Sequence, residues 1–213
     1  MGIVTMGIPR DIVTSLATLN ESSVFVETGT FHGETTKWAA TCFESVHTIE
    51  RAEGLYNLHR HELSQIRGVT PHLGDSRTIL PRILEQIGSR KAVFWLDSHW
   101  SGFDTAGVDD ECPLLDELSC LAGRHEDIIL IDDARLFLSA PPPPHKPSHW
   151  PTILDICSVI SRPDRKPFVQ IVDDVIFVIP DEMSLKNQLV EYAQRRSNLF
   201  WSQIQYLMNQ RGK

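Results

Sequence analysis

The chain has 213 residues, 41% of them hydrophobic, and a formal net charge of -8. That length fits one ordinary domain, and the apolar share is enough for a full core. The acidic balance argues against a general nucleic-acid partner, because phosphate binding needs clustered Lys and Arg. No apolar run reaches the roughly 18 residues of a membrane span, so no membrane partner is expected. Met1 to Met6 lacks a charged segment followed by an apolar one, so no signal peptide is expected. Gly2 suggests myristoylation, but Met6 stands where that motif wants Ser or Thr. Cys42, Cys112, Cys120 and Cys157 form no C-x-x-C pair and read as reduced thiols of a cytoplasmic protein.

The spacing predicts a helix over 9–19, with Ile12, Leu16 and Leu19 on one face. Val24 to Val26 reads as a strand, followed by a Gly-containing turn and a helix from about Thr35 to Phe43. Strand Val46–Ile49, helix 53–66, weak strand Val69–Leu73 and helix Thr78–Ile87 follow. Then come strand Ala92–Leu96, helix Pro113–Leu121 and strand Ile128–Ile131. Such alternation predicts an α/β, Rossmann-like parallel sheet with helices on both faces. Pro141 to Pro144 opens a rigid exposed loop ending near Trp150-Pro151, and a helix covers about Thr152–Ile160. Phe168–Val172 and Val175–Ile179 are separated only by Asp173-Asp174, too short for a crossover helix, so they should pair as an antiparallel hairpin. The tail 182–213 reads as one or two helices. Leu199, Phe200, Ile204 and Leu207 give it an apolar face, expected to pack on the domain or on a second subunit. No repeat or second domain is evident. One domain spans 1–213, with a core of about 20–180.

In parallel sheets ligands bind outside the carboxyl ends of the strands, and the polar motifs sit there. Glu27-Thr28-Gly29-Thr30-Phe31-His32-Gly33-Glu34-Thr35 follows the first strand. Its glycines would let backbone approach a ligand at a helix N-terminus. Glu50 ends the second strand, where a carboxylate can accept from both hydroxyls of a ribose. Gly74-Asp75-Ser76 follows the third strand and could meet an adenine edge or simply cap a helix. Asp97 follows the fourth strand and Asp132-Asp133 the fifth. Three clustered carboxylates repel unless a cation or protons compensate, and all-oxygen ligands suit Mg²⁺ or a similar ion. His99 could add a base or a ligand.

These residues resemble class I S-adenosylmethionine-dependent methyltransferases over roughly residues 20–180. Within them the metal-dependent O-methyltransferases of the catechol type are most similar. The first motif of that group reads acidic, any, Gly, any, aromatic, any, Gly, any, Ser or Thr, matched by Glu27, Gly29, Phe31, Gly33 and Thr35. Thr48-Ile49-Glu50, Gly74-Asp75-Ser76, Phe94 to Trp100 (with Ser98 inserted) and Leu130 to Asp133 resemble its later motifs. The resemblance implies S-adenosylmethionine held by Glu27, Thr28, Gly29, Thr30, Phe31, Gly33, Thr35, Glu50, Asp75, Ser76 and Asp97. It implies a divalent metal at Asp97, Asp132 and Asp133, catalysis by Asp97 and His99, and a hydroxyl of a small-molecule acceptor as the methylated group. Trp100, Phe103 and Trp150 could wall the acceptor. The catechol group's Lys after the fourth-strand Asp is missing: Ser101-Gly102 follows Trp100. The segment Ser101–Cys112 and the Pro-rich loop are also foreign to that group, whereas sugar O-methyltransferases of the macrocin type and FkbM-type enzymes resemble parts of the pattern. Four alternatives stay open. One is a metal-independent methyltransferase with His99 as base. Another is an NAD(P)-dependent oxidoreductase, disfavoured because Gly29-x-x-x-Gly33 is not Gly-x-Gly-x-x-Gly. Asp97-x-His99 also suggests a metallophosphoesterase, although Gly74-Asp75 then precedes it out of order. A catalytically silent cofactor-binding domain would look the same.

Overall fold

A computed structural model describes residues 7–102, 105–161 and 166–211. Seven strands form one sheet in the order β3-β2-β1-β4-β5-β7-β6: β1 Val24–Thr28, β2 Ser45–Glu50, β3 Val69–Leu73, β4 Ala92–Leu96, β5 Ile128–Ile131, β6 Phe168–Val172 and β7 Val175–Ile179. The first five are parallel, and β7 lies antiparallel between β5 and β6. The expected hairpin is therefore present. Asp173 and Asp174 both have positive φ, as a two-residue hairpin turn of the tightest kind requires.

The helices are α1 Arg10–Leu19, α2 Glu34–Ala39, α3 Glu53–Ser64, α4 Ser76–Ile87, α5 Leu114–Cys120, α6 Arg135–Leu138, α7 Ile153–Ile160 and α8 Met183–Arg211. Strand residues alternate between two apolar layers, as the period of two dictates. Phe25, Val46, Val93, Trp95, Leu130 and Phe177 join α1, α2, α3 and α8 on one face. Val26, Ile49, Phe94, Leu96, Ile131 and Ile176 join α4 to α7 on the other. No helix of the described residues is long and apolar enough to cross a membrane.

Two details depart from the sequence reading. Helix α2 stops at Ala39 rather than Phe43 and gives way to a turn. The short helix α6 and a 3-10 turn at Pro147–His149 were not expected, because neither is long enough to show a period. The tail is one helix of 29 residues, about 44 Å long at 1.5 Å per residue. Leu185 and Leu189 bury its first turns against the domain, with Tyr192 and Ala193 beside them. Further on, Leu199 is 52% exposed and Leu207 60%. The apolar face of 197–209 thus does not settle into its own domain. Leu189→Ala should cost about 2–5 kcal/mol, as buried Leu truncations do. Removing 197–213 should cost less than about 1 kcal/mol, a fall in Tm of under about 4 °C. Thermal unfolding of both variants checks the contrast.

Candidate active site

The parallel strands end side by side, so each residue following a strand meets its neighbours at one rim. Gly29 has φ +89, and a Cβ there would lie 2.2 Å from the Asp97 carbonyl oxygen. Only glycine lets the ends of β1 and β4 approach this closely. The rim opens into a cleft of about 730 Å³. Of the residues expected to hold a cofactor, Gly29, Phe31, Glu50, Asp75, Ser76 and Asp97 line it.

The other five stand behind that lining. Buried Glu27 accepts hydrogen bonds from Thr36 and, at 2.7 Å, from Thr48 Oγ1. Burial pushes its pKa up to about 7 against those hydroxyls, and the Glu50 charge adds to the rise. Thr35 opposes that rise. Thr30 Oγ1 lies 2.6 Å from Thr48 Oγ1. Gly33 caps α2 with φ +74. Thr28 Oγ1 accepts from the Asp97 backbone N–H at 3.3 Å. These residues shape the turn rather than face the cleft.

Glu50 is buried and faces the cleft. Its Oε2 accepts from Phe31 N at 2.9 Å and its Oε1 from Ala52 N at 2.8 Å. Phe31 has φ +47, uncommon for a residue with a side chain. That conformation aims its N–H at Glu50. Asp75 takes the capping alternative: it accepts from Arg77 N at 3.0 Å and from Arg77 Nε and Nη2 at 2.9 and 2.7 Å. The Arg77 guanidinium outweighs the effect of burial and holds the Asp75 pKa below its usual range.

On the other side of the rim lies a charged group. Asp133 Oδ2 is 2.8 Å from His99 Nε2, and its Oδ1 is 2.7 Å from Arg135 Nη1. His99 Nδ1 is 3.6 Å from Asp97 Oδ1. Asp132 Oδ1 accepts from the Asp133 N–H at 2.8 Å. Burial alone would lower the His99 pKa, but the Asp133 hydrogen bond and the charges of Asp97, Asp133 and Asp132 push it up to about 9. Burial raises Asp97 well above the usual range, aided by Asp132, Asp133 and Glu27 and opposed by His99. Burial and then Asp133 raise Asp132 to about 6. Asp133 is held low, because His99 and Arg135 outweigh its burial.

Asp97, Asp132 and Asp133 do gather at one rim, but both Asp133 oxygens are engaged by side-chain cations. Among the described residues no three His, Cys, Asp or Glu are placed to hold a metal ion. The compensating charges are His99 and Arg135.

Two buried carboxylates escaped the sequence reading. Glu117 on α5 is 1% exposed, and Ser98 Oγ donates to its Oε1 at 2.7 Å. Glu111 is also 1% exposed. It accepts from Trp150 Nε1 at 2.7 Å and Lys146 N at 3.0 Å, with His145 Nδ1 at 3.2 Å. Glu111 thereby fastens the Pro-rich loop to the segment after β4. An acidic residue within an apolar helical pattern, as at Glu117, was the available signal. Trp100 and His145 line the cleft. Trp150 is buried behind them, and Phe103 lies outside the described residues.

No protein-family model matches the sequence, and no curated protein matches it. Solved structures do. The O-methyltransferase TomG of Streptomyces achromogenes, involved in tomaymycin synthesis and in complex with S-adenosylmethionine, superposes with TM-score 0.56 at 17% identity, over 83% of this chain and 82% of that one. A candidate caffeoyl-CoA O-methyltransferase from Staphylococcus aureus gives 0.55 at 13%, over 84% and 86%. A candidate methyltransferase from Streptococcus mutans, in complex with S-adenosylhomocysteine, gives 0.51 at 13%, over 82% and 98%. The chain has the class I methyltransferase fold.

The cleft of this methyltransferase fold suits an adenosyl group. Each Glu50 oxygen accepts one backbone N–H and keeps a lone pair for a ribose hydroxyl. The wall at Gly29 is bare backbone.

The His99 charge has a consequence for stability. Its folded pKa of about 9 lies above the ordinary 6.5. The stabilisation is complete below pH 6.5 and disappears as pH rises through 9. Wild type should therefore exceed His99→Gln in stability most at about pH 6, and the gap should narrow by about pH 10. Unfolding measured across that range checks it, and a gap independent of pH would mean that the imidazole is neutral.

Proposed function

We propose that the protein is an S-adenosylmethionine-dependent methyltransferase that methylates a hydroxyl oxygen of a small-molecule acceptor. The observation that carries the reading is the placement of Glu50, at the end of β2, and Asp97, after β4, on the lining of one cleft. The O-methyltransferase TomG, with the same fold, is in complex with S-adenosylmethionine.

When bound, the cofactor supplies an electrophilic methyl group on a sulfonium. Glu50 takes the ribose hydroxyls, and the Gly29 turn admits the methionine portion. Asp97 is 32% exposed at its side chain and lines the cleft. Its raised proton affinity suits a general base. A hydroxyl must lose its proton as its oxygen bonds to carbon, whereas a neutral amine need not do so beforehand; this favours oxygen. Asp97 takes that proton, and the neighbouring His99 imidazolium, anchored by Asp133, steadies the carboxylate. Orientation on the methyl–sulfur axis supplies the remaining advantage. Trp100 and His145 bound the acceptor side of the cleft. With His99 and Arg135 already on Asp133, no divalent cation is assigned a step.

Glu50→Ala should weaken S-adenosylhomocysteine binding by about 1.5–3 kcal/mol, as expected for hydrogen bonds to a charged group. Calorimetry tests this, and unchanged affinity would sink the cofactor assignment. Thermal shift with NAD and NADP in parallel tests the oxidoreductase alternative. An acceptor can be found by screening small hydroxyl compounds with methyl-labelled cofactor. With it, Asp97→Asn should lower kcat by about 10²–10⁴-fold. Wild-type turnover should persist in excess chelator; its abolition, restored by a divalent ion, would put a metal at the acceptor.

A further inference from the structure

His145 stands on the Pro-rich loop, where it lines the cleft. Its Nδ1 lies 3.2 Å from Oε2 of Glu111. That carboxylate is 1% exposed, and it also accepts from Trp150 Nε1 at 2.7 Å and Lys146 N at 3.0 Å. Burial would raise the Glu111 pKa, but these hydrogen bonds outweigh it and hold the carboxyl below its usual range. An ionised carboxylate only accepts, so the proton shared with His145 belongs to Nδ1.

The hydrogen bond made by one imidazole nitrogen decides what the other carries. In the neutral ring Nε2 therefore keeps a lone pair. It lies on the edge of the ring away from Glu111, and among the described residues no hydrogen bond reaches it. Trp100 and Trp150 meet the ring edge-on, with centroids 5.4 and 5.2 Å away, and hold its plane. Trp150 also packs on His99, at 5.4 Å, and His99 Nδ1 is 3.6 Å from Asp97 Oδ1. Contact with that shared ring puts His145 on the Asp97 side of the cleft, within the span of one small molecule.

We propose that His145 is a specificity-determining residue whose Nε2 accepts a hydrogen bond from a second hydroxyl of the acceptor, so that the protein takes acceptors with two hydroxyls and methylates only one. The inference rests on the proposed methyl transfer at Asp97. The first hydroxyl gives its proton to Asp97 as its oxygen bonds to the methyl carbon, and the methyl–sulfur bond breaks to leave a neutral thioether. The second hydroxyl keeps its proton and offers it to Nε2. A monomethyl product that rebinds in reverse would set an ether oxygen against Nε2. Two acceptors then face each other, and a site built to pair a hydroxyl rejects the analogue that lacks one. The reaction therefore stops after one transfer.

The test has two readouts on the full chain. Nitrogen NMR of His145, assigned against His145→Phe, should show a protonated Nδ1 and a bare Nε2 between about pH 7 and 9. In Glu111→Gln, which keeps the shape and removes the charge, the proton should spread over both nitrogens. Turnover is read with methyl-labelled cofactor on resorcinol, catechol and the monomethyl ether of each. Wild type should give only monomethyl product, with KM for a diol about tenfold or more below that for its ether. In His145→Phe the two KM values should converge to within about threefold, through a rise in KM for the diol, and dimethyl product should appear. A merely structural role would leave the ratio of the two KM values intact. Equal KM values or dimethyl product in wild type, or a proton on Nε2, overturns the inference. So does a loss in His145→Phe that falls on kcat alone, which would make His145 the base. If S-adenosylhomocysteine binds and none of the four phenols is turned over, the tautomer decides: a bare Nε2 sustains the inference and a protonated one overturns it. Failure of S-adenosylhomocysteine to bind overturns the cofactor reading and this inference with it.

Discussion

Crowded negative charge at the strand ends is the constraint around which this site is organised. A parallel sheet delivers the residues after neighbouring strands to one place, and here β4 and β5 deliver Asp97, Asp132 and Asp133. Charges this close in a low-dielectric rim cannot all stay ionised without compensation. The chain supplies two cations, His99 from the loop after β4 and Arg135 from α6. Asp133 takes both and stays ionised. Asp97, beyond direct hydrogen-bond range of His99, is left with the higher proton affinity. One cluster thus contains a fixed ion pair and a group able to take a proton.

That division depends on elements distant in sequence. Arg135 also pairs with Asp174 in the β6–β7 turn, whose backbone carbonyl accepts the Ala134 N–H at 2.8 Å. The other turn residue, Asp173, pairs with Arg196 on α8. The hairpin therefore does more than close the sheet. Its left-handed turn buttresses the arginine that holds Asp133. Glu111 acts similarly on the opposite lip, drawing Trp150, Lys146 and His145 onto the segment that follows β4.

The layout of the fold was legible because each element announced itself by period or by brevity. Fully apolar runs such as Ala92–Leu96 read as buried parallel strands, and two residues between Val172 and Val175 allowed only a hairpin. Rim residues followed from topology once the strands were placed, and Glu50 and Asp97 do line the cleft. Their partners were not readable. Nothing in Asp132-Asp133 says that one carboxylate meets a histidine and an arginine while the other binds a backbone N–H. The carboxylates were visible, but not that Arg135, on a helix too short to predict, would pair with Asp133. Glu111 and Glu117 were missed because burial of a charged residue is decided by tertiary contacts, not by local pattern. The apolar face of the tail was real, but periodicity cannot say which surface a helix will meet.

The two halves of the cleft differ in kind, and charge conservation explains why. On the proposed function, the nucleobase would meet Gly74 and Ser76, while Asp97, His99, Asp132, Asp133 and Arg135 would face the acceptor. Methyl transfer from a sulfonium removes a positive charge at sulfur and releases one as the acceptor's proton. In water that relocation is easy. In a rim with few solvent dipoles it requires a receiving group already placed where the new charge appears. On the proposed function Asp97 meets this need: its affinity for a proton is raised by its surroundings, and neutralising it relieves repulsion with Asp132, Asp133 and Glu27. The crowding that makes the cluster costly in the resting protein therefore favours proton uptake as the methyl group moves.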